Sequence, residues 1–235
     1  MDTCALISID GHGYRIVAGP APNRTYPLRS IQTNALPLIY TEAAGNISRD
    51  TVCMATTTFR GLEVLISRQQ IAERVAEMGE QITRDLKGEK LVMIGVLKGA
   101  APFLADLARA IDADATFDFI AVKSYPKGSQ TSSGAVQVIK DLDESIEGKN
   151  VLIVEDILDT GLTLAYLRKI FMQQHPKSLR IAALLDKPSR RVEKIEADYV
   201  GFAVPNLFVI GYGMDFAERY RNLPDICLMP TDQPS

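Results

Sequence analysis

Residues 151–163, VLIVEDILDTGLT, place groups that attract opposite charges within one short reach of chain. Gly161 permits a tight turn with positive φ. Backbone N–H groups from about Asp159 through Thr160, Gly161 and Leu162 to Thr163 can then converge on one centre at a helix start. The Thr160 and Thr163 hydroxyls add donors, and the result is an anion site. Glu155 and Asp156 come just before it. Their carboxylates accept hydrogen bonds from a diol or hold Mg²⁺ through water. A phosphorylated sugar meets both demands, with phosphate on the amides and hydroxyls on the acids. The acids also suit a transition state that develops positive charge at an anomeric carbon. Helix-dipole complementarity, about 0.3–1 kcal/mol per acid, accounts for one carboxylate near a helix start. It accounts poorly for an acid pair directly after an apolar strand.

The elements that must position these groups are legible as alternating apolar patterns. Ser67 and Gln70 form a capping box that opens a helix, and Ile71, Val75, Met78, Ile82 and Leu86 continue it at helical spacing. Residues 91–97, 116–122, 151–154, 179–185, 199–204 and 208–210 are apolar runs of strand length, and 100–111 and 162–174 read as helices. Strands buried on both faces and alternating with helices predict an α/β fold, a mainly parallel twisted sheet flanked by helices. Ligands of such sheets sit beyond the carboxyl ends of the strands. Residues 1–61 differ. They are rich in Thr, Ala, Asn, Pro and Gly with little periodicity, and are expected to be a poorly structured or non-native N-terminal extension of a 62–235 domain. One hypothesis takes Met54 as the natural start; the intact mass of the native protein decides it, and a mass for the full chain overturns it.

The totals narrow the class. A chain of 235 residues suits one domain with an appendage, and 46% apolar with 23% charged residues is an ordinary globular balance. A net charge of −3 gives no global reason to bind nucleic acid or an anionic membrane. Cys4, Cys53 and Cys227 form neither a disulfide framework nor a metal spacing, which points to a reducing, cytoplasmic setting. No apolar run reaches the roughly 18 residues of a membrane span, and no signal peptide is apparent. The sequons at Asn23 and Asn46 are read as chance matches. With only His12 and His175, a His-rich metal site and a Ser-His-Asp triad are disfavoured. No Walker loop and no convincing dinucleotide fingerprint occurs.

The stretch 155–163, EDILDTGLT, resembles the phosphoribosyl-pyrophosphate (PRPP) motif of type I phosphoribosyltransferases: two acids, two hydrophobics, then Asp-Thr-Gly after a strand. Lys123-Ser124-Tyr125, residues 184–191 (LLDKPSRR) and residues 208–215 (FVIGYGMD) resemble the hypoxanthine-guanine phosphoribosyltransferase family in order and spacing. The likeness runs from about Glu63 to Met229. It implies the type I fold with a small hood and a flexible lid. It also implies Mg²⁺-dependent transfer of 5-phosphoribosyl from PRPP to N9 of hypoxanthine or guanine, giving IMP or GMP and pyrophosphate. A homodimer or homotetramer is implied, with no membrane and no nucleic acid partner.

The resemblance also assigns roles. Asp159 is implied as the general base near purine N7, helped if neighbouring acids raise its pKa; its plain alternative is a helix N-cap. Lys187 is implied to donate to O6 of the base. An ammonium offers donors only, so it favours a 6-oxo purine over a 6-amino one. Phe208 is implied to stack on the purine and Val209 to meet its edge through backbone groups. Asp215, on the same purine-side segment, is implied to hold Mg²⁺ at the pyrophosphate, along with Glu155 and Asp156. Arg221 is implied to contact pyrophosphate, for which a guanidinium fork is suited. Lys98-Gly99 resembles the pyrophosphate loop, in which the peptide before the lysine can be cis. Residues 124–134, opening with Ser124 and Tyr125, are implied to be a lid that excludes water. Three rivals stand beside this reading: a transferase for xanthine or a pyrimidine, an RNA-binding regulator on the same fold, and a PRPP synthase-like enzyme.

Overall fold

The computed structural model of the protein describes residues 3–10, 13–20, 52–55, 58–124 and 136–229. By its internal contacts the chain divides into two units, Met1–Val64 and Leu65–Ser235. In the first, β1 (Thr3–Asp10) pairs antiparallel with β2 (Gly13–Pro20) and with β3 (Val52–Ala55). The sequence reading gives no elements here. β1 and β2 form a local hairpin, and β3 joins β1 from a distant segment. β4 (Thr58–Phe59) and the start of β5 (Leu62–Ile66) form a hairpin around Arg60 and Gly61, with φ 53° and 78°. Positive φ at both central residues is the turn whose twist matches paired strands.

In the second unit the alternation of apolar runs and helices becomes a six-stranded sheet. Its strands are β6 (Leu91–Leu97), β7 (Ala115–Ser124), β8 (Val136–Lys140), β9 (Asn150–Leu158), β10 (Ser178–Asp186) and β11 (Tyr199–Ala203), in the order β11-β10-β9-β6-β7-β8. All neighbours are parallel except β7 and β8, so the sheet is mixed at one edge only. Helices α1 (Arg68–Asp85) and α2 (Ala101–Ala110) contribute Ile71, Met78, Phe103 and Leu107 to one apolar cluster. Helix α3 (Leu162–Met172) contributes Leu164, Leu167 and Phe171 to a second. The strand faces divide between them: Leu152 and Val154 join the first cluster, Val151 and Ile153 the second. Two short strands, β12 (Val209–Ile210) and β13 (Ile226–Leu228), pair antiparallel.

The predicted capping box is present. Ser67 Oγ accepts from Gln70 N at 3.3 Å, and Ser67 N donates to Gln70 Oε1 at 2.9 Å. Strand bounds shift in two places that matter. The run at 151–154 is the middle of a longer strand, because the ladder to β10 continues through Leu185 opposite Ile157 and Asp186 opposite Leu158. The strand at 208–210 begins at Val209, leaving Phe208 outside it.

Candidate active site

Strand β9 carries the acid pair at a break in its own alternation. Val154 and Ile157 both face the first cluster, whereas Ile153 and Leu158 face the second. The side-chain phase therefore slips across Glu155 and Asp156, and neither acid enters a core. Glu155 Oε2 is nonetheless buried and has no hydrogen-bond partner among the described residues. Burial, with the Asp156 charge alongside, pushes the Glu155 carboxyl well above the usual carboxylate range. Burial also pushes Asp156 up to about 6; hydrogen bonds from Ile157 and its own N–H and the charge of Arg221 oppose this, and Asp215 adds to it. Asp156 Oδ1 accepts from Ile157 N at 2.9 Å.

That displacement gives a stability prediction. Folding raises the Asp156 pKa, so the folded chain binds this proton more tightly than the unfolded one. Its contribution is fully present below about pH 4 and is lost as pH rises through about 6. Asp156→Asn is expected to stabilise the ligand-free protein at pH 7.5 by about 1–3 kcal/mol, with the gain shrinking to under about 1 kcal/mol at pH 4. Melting temperatures of both proteins at the two pH values check this; a pH-independent difference overturns it.

The anion loop follows β9. Gly161, at φ 83°, precedes Leu162 and occupies the cap position of α3, and no side chain caps that helix. Asp159 is therefore not the N-cap. A Cβ at Gly161 would also crowd Ile195 Cγ2 at 2.7 Å. Thr160 Oγ1 faces Leu162 N at 3.5 Å, and Thr160 O accepts from Val192 N and Glu193 N at 2.9 and 3.1 Å. The neighbour of the Asp159 carboxylate is a cation rather than an acid: Arg190 Nε donates to Oδ1 at 2.9 Å. Arg191 donates to the carbonyls of Leu158 and Asp159 at 3.1 and 2.5 Å and pairs with Asp186. Arg190 and Arg191, two residues of the family-like segment 184–191 without an assigned role, thus hold the loop. Arg190 closes the short 3₁₀ turn Pro188–Arg190, and Arg191 comes directly after it.

Lys187 lies at the end of β10 and is buried. Its Nζ donates to Leu207 O at 2.6 Å, and its N–H donates to Leu158 O at 2.9 Å. Burial lowers its pKa, opposed by the Asp159 charge. This is not a solvated turn lysine. Phe208, next to Leu207, is exposed and meets Phe216 edge to face, 5.8 Å between centroids. Val209 is buried.

The loop after β6 and the turn after β12 come together at the acid pair. The Leu97–Lys98 peptide is cis. A Cβ on Gly99 would overlap the Asp156 carboxylate, and one on Gly213 would overlap Gly99 O. Gly213 holds φ 101°, and the next residues form a tight knot: Arg221 Nη2 pairs with Asp215 Oδ1 at 2.8 Å, and Arg221 Nη1 donates to Gly213 O at 2.7 Å. Tyr212 Oη donates to Asp106 Oδ2 at 2.5 Å, tying this turn to α2. Tyr212 and Gly213 lie inside the family-like segment 208–215, but their contacts with Asp106 and Gly99, and that of Glu218 with Lys98, come from distant parts of the chain and leave no sequence pattern. Ser124 closes β7; Tyr125 and the rest of the expected lid lie outside the described residues.

The structure thus gathers Glu155, Asp156, Gly99, Asp215 and Arg221 at one place, with the 159–163 loop adjoining through β9 and Lys187 adjoining that loop. Residues 64–217 match the model of the phosphoribosyl transferase domain family. The chain is 53% identical over 164 residues to the hypoxanthine-guanine phosphoribosyltransferase of Bacillus subtilis, covering 70% of this chain and 91% of that protein. It resembles a crystal structure of a hypoxanthine phosphoribosyltransferase from Staphylococcus aureus, TM-score 0.68 at 48% identity, covering 72% of this chain and 91% of that one. It also resembles a hypoxanthine-guanine phosphoribosyltransferase from Bacillus anthracis, TM-score 0.66 at 49% identity, covering 70% of this chain and 95% of the other.

Proposed function

The chain belongs to the phosphoribosyl transferase family, and from that premise we propose that it moves 5-phosphoribosyl from PRPP to N9 of hypoxanthine or guanine, releasing pyrophosphate with IMP or GMP. The observation that carries the reading is the buried Glu155 Oε2, without a partner among the described residues, beside Asp156 on the strand that leads to a glycine-capped helix start. A buried polar atom without a partner among the described residues favours a hydroxyl-bearing ligand, and the amides beyond it favour a phosphate. The two together describe a phosphorylated ribose.

In this reading the 5-phosphate sits on the 159–163 amides and the Thr160 and Thr163 hydroxyls. Glu155 and Asp156 take the ribose diol. Lys98, the Gly99 backbone and Arg221 take pyrophosphate. Lys187 donates to O6, Phe208 stacks on the ring, Val209 meets its edge, and Asp159 accepts the N7 proton once Arg190 releases it. Ser124 and Tyr125 open the lid that keeps water from the anomeric carbon.

Mg²⁺ is proposed at Asp215, Glu155 and Asp156. Their oxygens are the right donors, and Asp215 and Asp156 stand close enough to feel each other's charge. Among the described residues no three acids or histidines form a ready cage, which suits an ion held largely by phosphate oxygens and water. Bound there, the ion would neutralise charge on the departing pyrophosphate. We further propose that residues 62–235 form the catalytic domain, with 1–61 an appendage, since the family match begins at residue 64. A cytoplasmic homodimer or homotetramer completes the proposal; no helix among the described residues is long and apolar enough to cross a membrane.

Product formation from PRPP and Mg²⁺, with hypoxanthine, guanine, xanthine, adenine and uracil supplied separately, tests the reading. Turnover of hypoxanthine or guanine above the others is expected; turnover of none overturns it. Lys187→Met is expected to cut kcat/KM for hypoxanthine by about 10–100-fold, the value of a hydrogen bond from a charged donor, and to narrow the preference over adenine. Unchanged kinetics with hypoxanthine would remove Lys187 from base recognition.

A further inference from the structure

Lys98 and Arg221 share Glu218 as a counter-charge, in addition to the closer pair of Arg221 with Asp215. Glu218 Oε2 accepts from Lys98 Nζ at 2.8 Å, and Glu218 Oε1 accepts from Arg221 Nη2 at 3.3 Å. A single carboxylate therefore bridges the two cations assigned above to pyrophosphate, one from the loop after β6 and one from the turn before β13. The bridge is built into the backbone. Glu218 and its neighbour Ala217 both hold left-handed φ, 61° and 50°, where side chains are disfavoured. The Glu218 N–H donates to Asp215 Oδ2 at 2.8 Å, so the Mg²⁺-side acid also fixes the turn. Arg221 meanwhile keeps a buried Nε with no partner among the described residues. Its guanidinium has donor capacity that Glu218 does not use.

Pyrophosphate offers several oxygens where Glu218 offers two. To reach both cations it must displace the Glu218 carboxylate or lie against its negative charge. We propose that Glu218 is a positioning residue that competes with pyrophosphate for Lys98 and Arg221. It holds both cations in reach of the site and weakens their grip on the leaving product. This rests on the function proposed above. The consequence is kinetic as well as thermodynamic, because release of products limits turnover in many enzymes that close over their substrates.

The test is calorimetric titration of magnesium pyrophosphate onto the full chain, comparing wild type with Glu218→Gln and Glu218→Gly. Gln keeps the shape without the charge. Gly accepts the positive φ and removes the side chain, so a folding defect in one variant does not remove the test. Both variants are expected to bind pyrophosphate about three- to tenfold more tightly, the range expected when one or two exposed ion pairs no longer compete, with pyrophosphate a correspondingly stronger inhibitor. Equal or weaker binding in both overturns the role; a purely structural Glu218 would give that result. The same preparations are assayed for nucleotide formation from PRPP and hypoxanthine. Turnover with unchanged pyrophosphate affinity overturns the Glu218 role and leaves the reaction standing. Tighter binding without turnover of any base overturns the reaction and leaves Glu218 guarding a polyanion site. No pyrophosphate binding by any of the three proteins overturns both.

Discussion

Asp159→Asn is expected to slow nucleotide formation by about 10²–10⁴-fold, the usual contribution of a positioned base, while leaving the loop around it in place. Two observations separate these effects. The cap of α3 is Gly161 with no side-chain bond, so the Asp159 carboxylate does not hold the helix start. Its side-chain partner is Arg190, at 2.9 Å and with both groups partly exposed. Losing such a pair costs at most about 1 kcal/mol. The loop itself is fastened by backbone groups: Lys187 N to Leu158 O, and Val192 N and Glu193 N to Thr160 O. PRPP affinity and melting temperature should therefore move little while kcat collapses. A variant that retains more than about a tenth of wild-type kcat would take the base role from Asp159, since a general base supplies at least about 10²-fold.

Gly99→Ala is expected to reduce kcat/KM for PRPP by about 10²-fold or more, because misplacement of a reacting group by about 1 Å is enough for that loss. The cause is space, not φ. A Cβ at Gly99 would overlap the Asp156 carboxylate, which is already held by Ile157 N, and Gly213 closes the loop from the other side. Either the pyrophosphate loop or the ribose-side acid must shift. Crowding of this kind costs about 1–3 kcal/mol, or roughly 2–12 °C in a chain of this size. Gly88→Ala is the control: Gly88 holds φ 78° with open space around it, so it tests backbone strain without crowding the site. Activity loss in Gly99→Ala alone supports the geometric account; equal loss in both would refute it.

What could be read from the chain is what lies within a few residues of itself. The apolar run, the acid pair and the Asp-Thr-Gly-Leu-Thr turn are contiguous, so their order implied a strand, a ligand loop and a helix. The Ser67 and Gln70 box and the helical spacing from Ile71 to Ile82 announced α1 for the same reason. Periodicity reveals which face of an element is buried, and alternating elements restrict the sheet to a mainly parallel one.

Periodicity does not reveal which distant group arrives at a given point. The phase slip of β9 at Glu155 and Asp156 depends on how its neighbours and two cores meet it. The cation beside Asp159 comes from beyond β10, where the sequence offered Arg190 and Arg191 as two unassigned charges. The edge strand β8 turns antiparallel after the segment expected to form a lid. The meeting of Gly99, Asp156 and Gly213, and the bridge from Lys98 through Glu218 to Arg221, join loops that follow different strands. Sequence by itself determined the residue types and the local turns that a phosphorylated sugar requires. Only the tertiary structure decided which of those groups are buried, which charges face them and which glycines must stay glycine, because long-range strand pairing and packing are set by the whole chain at once.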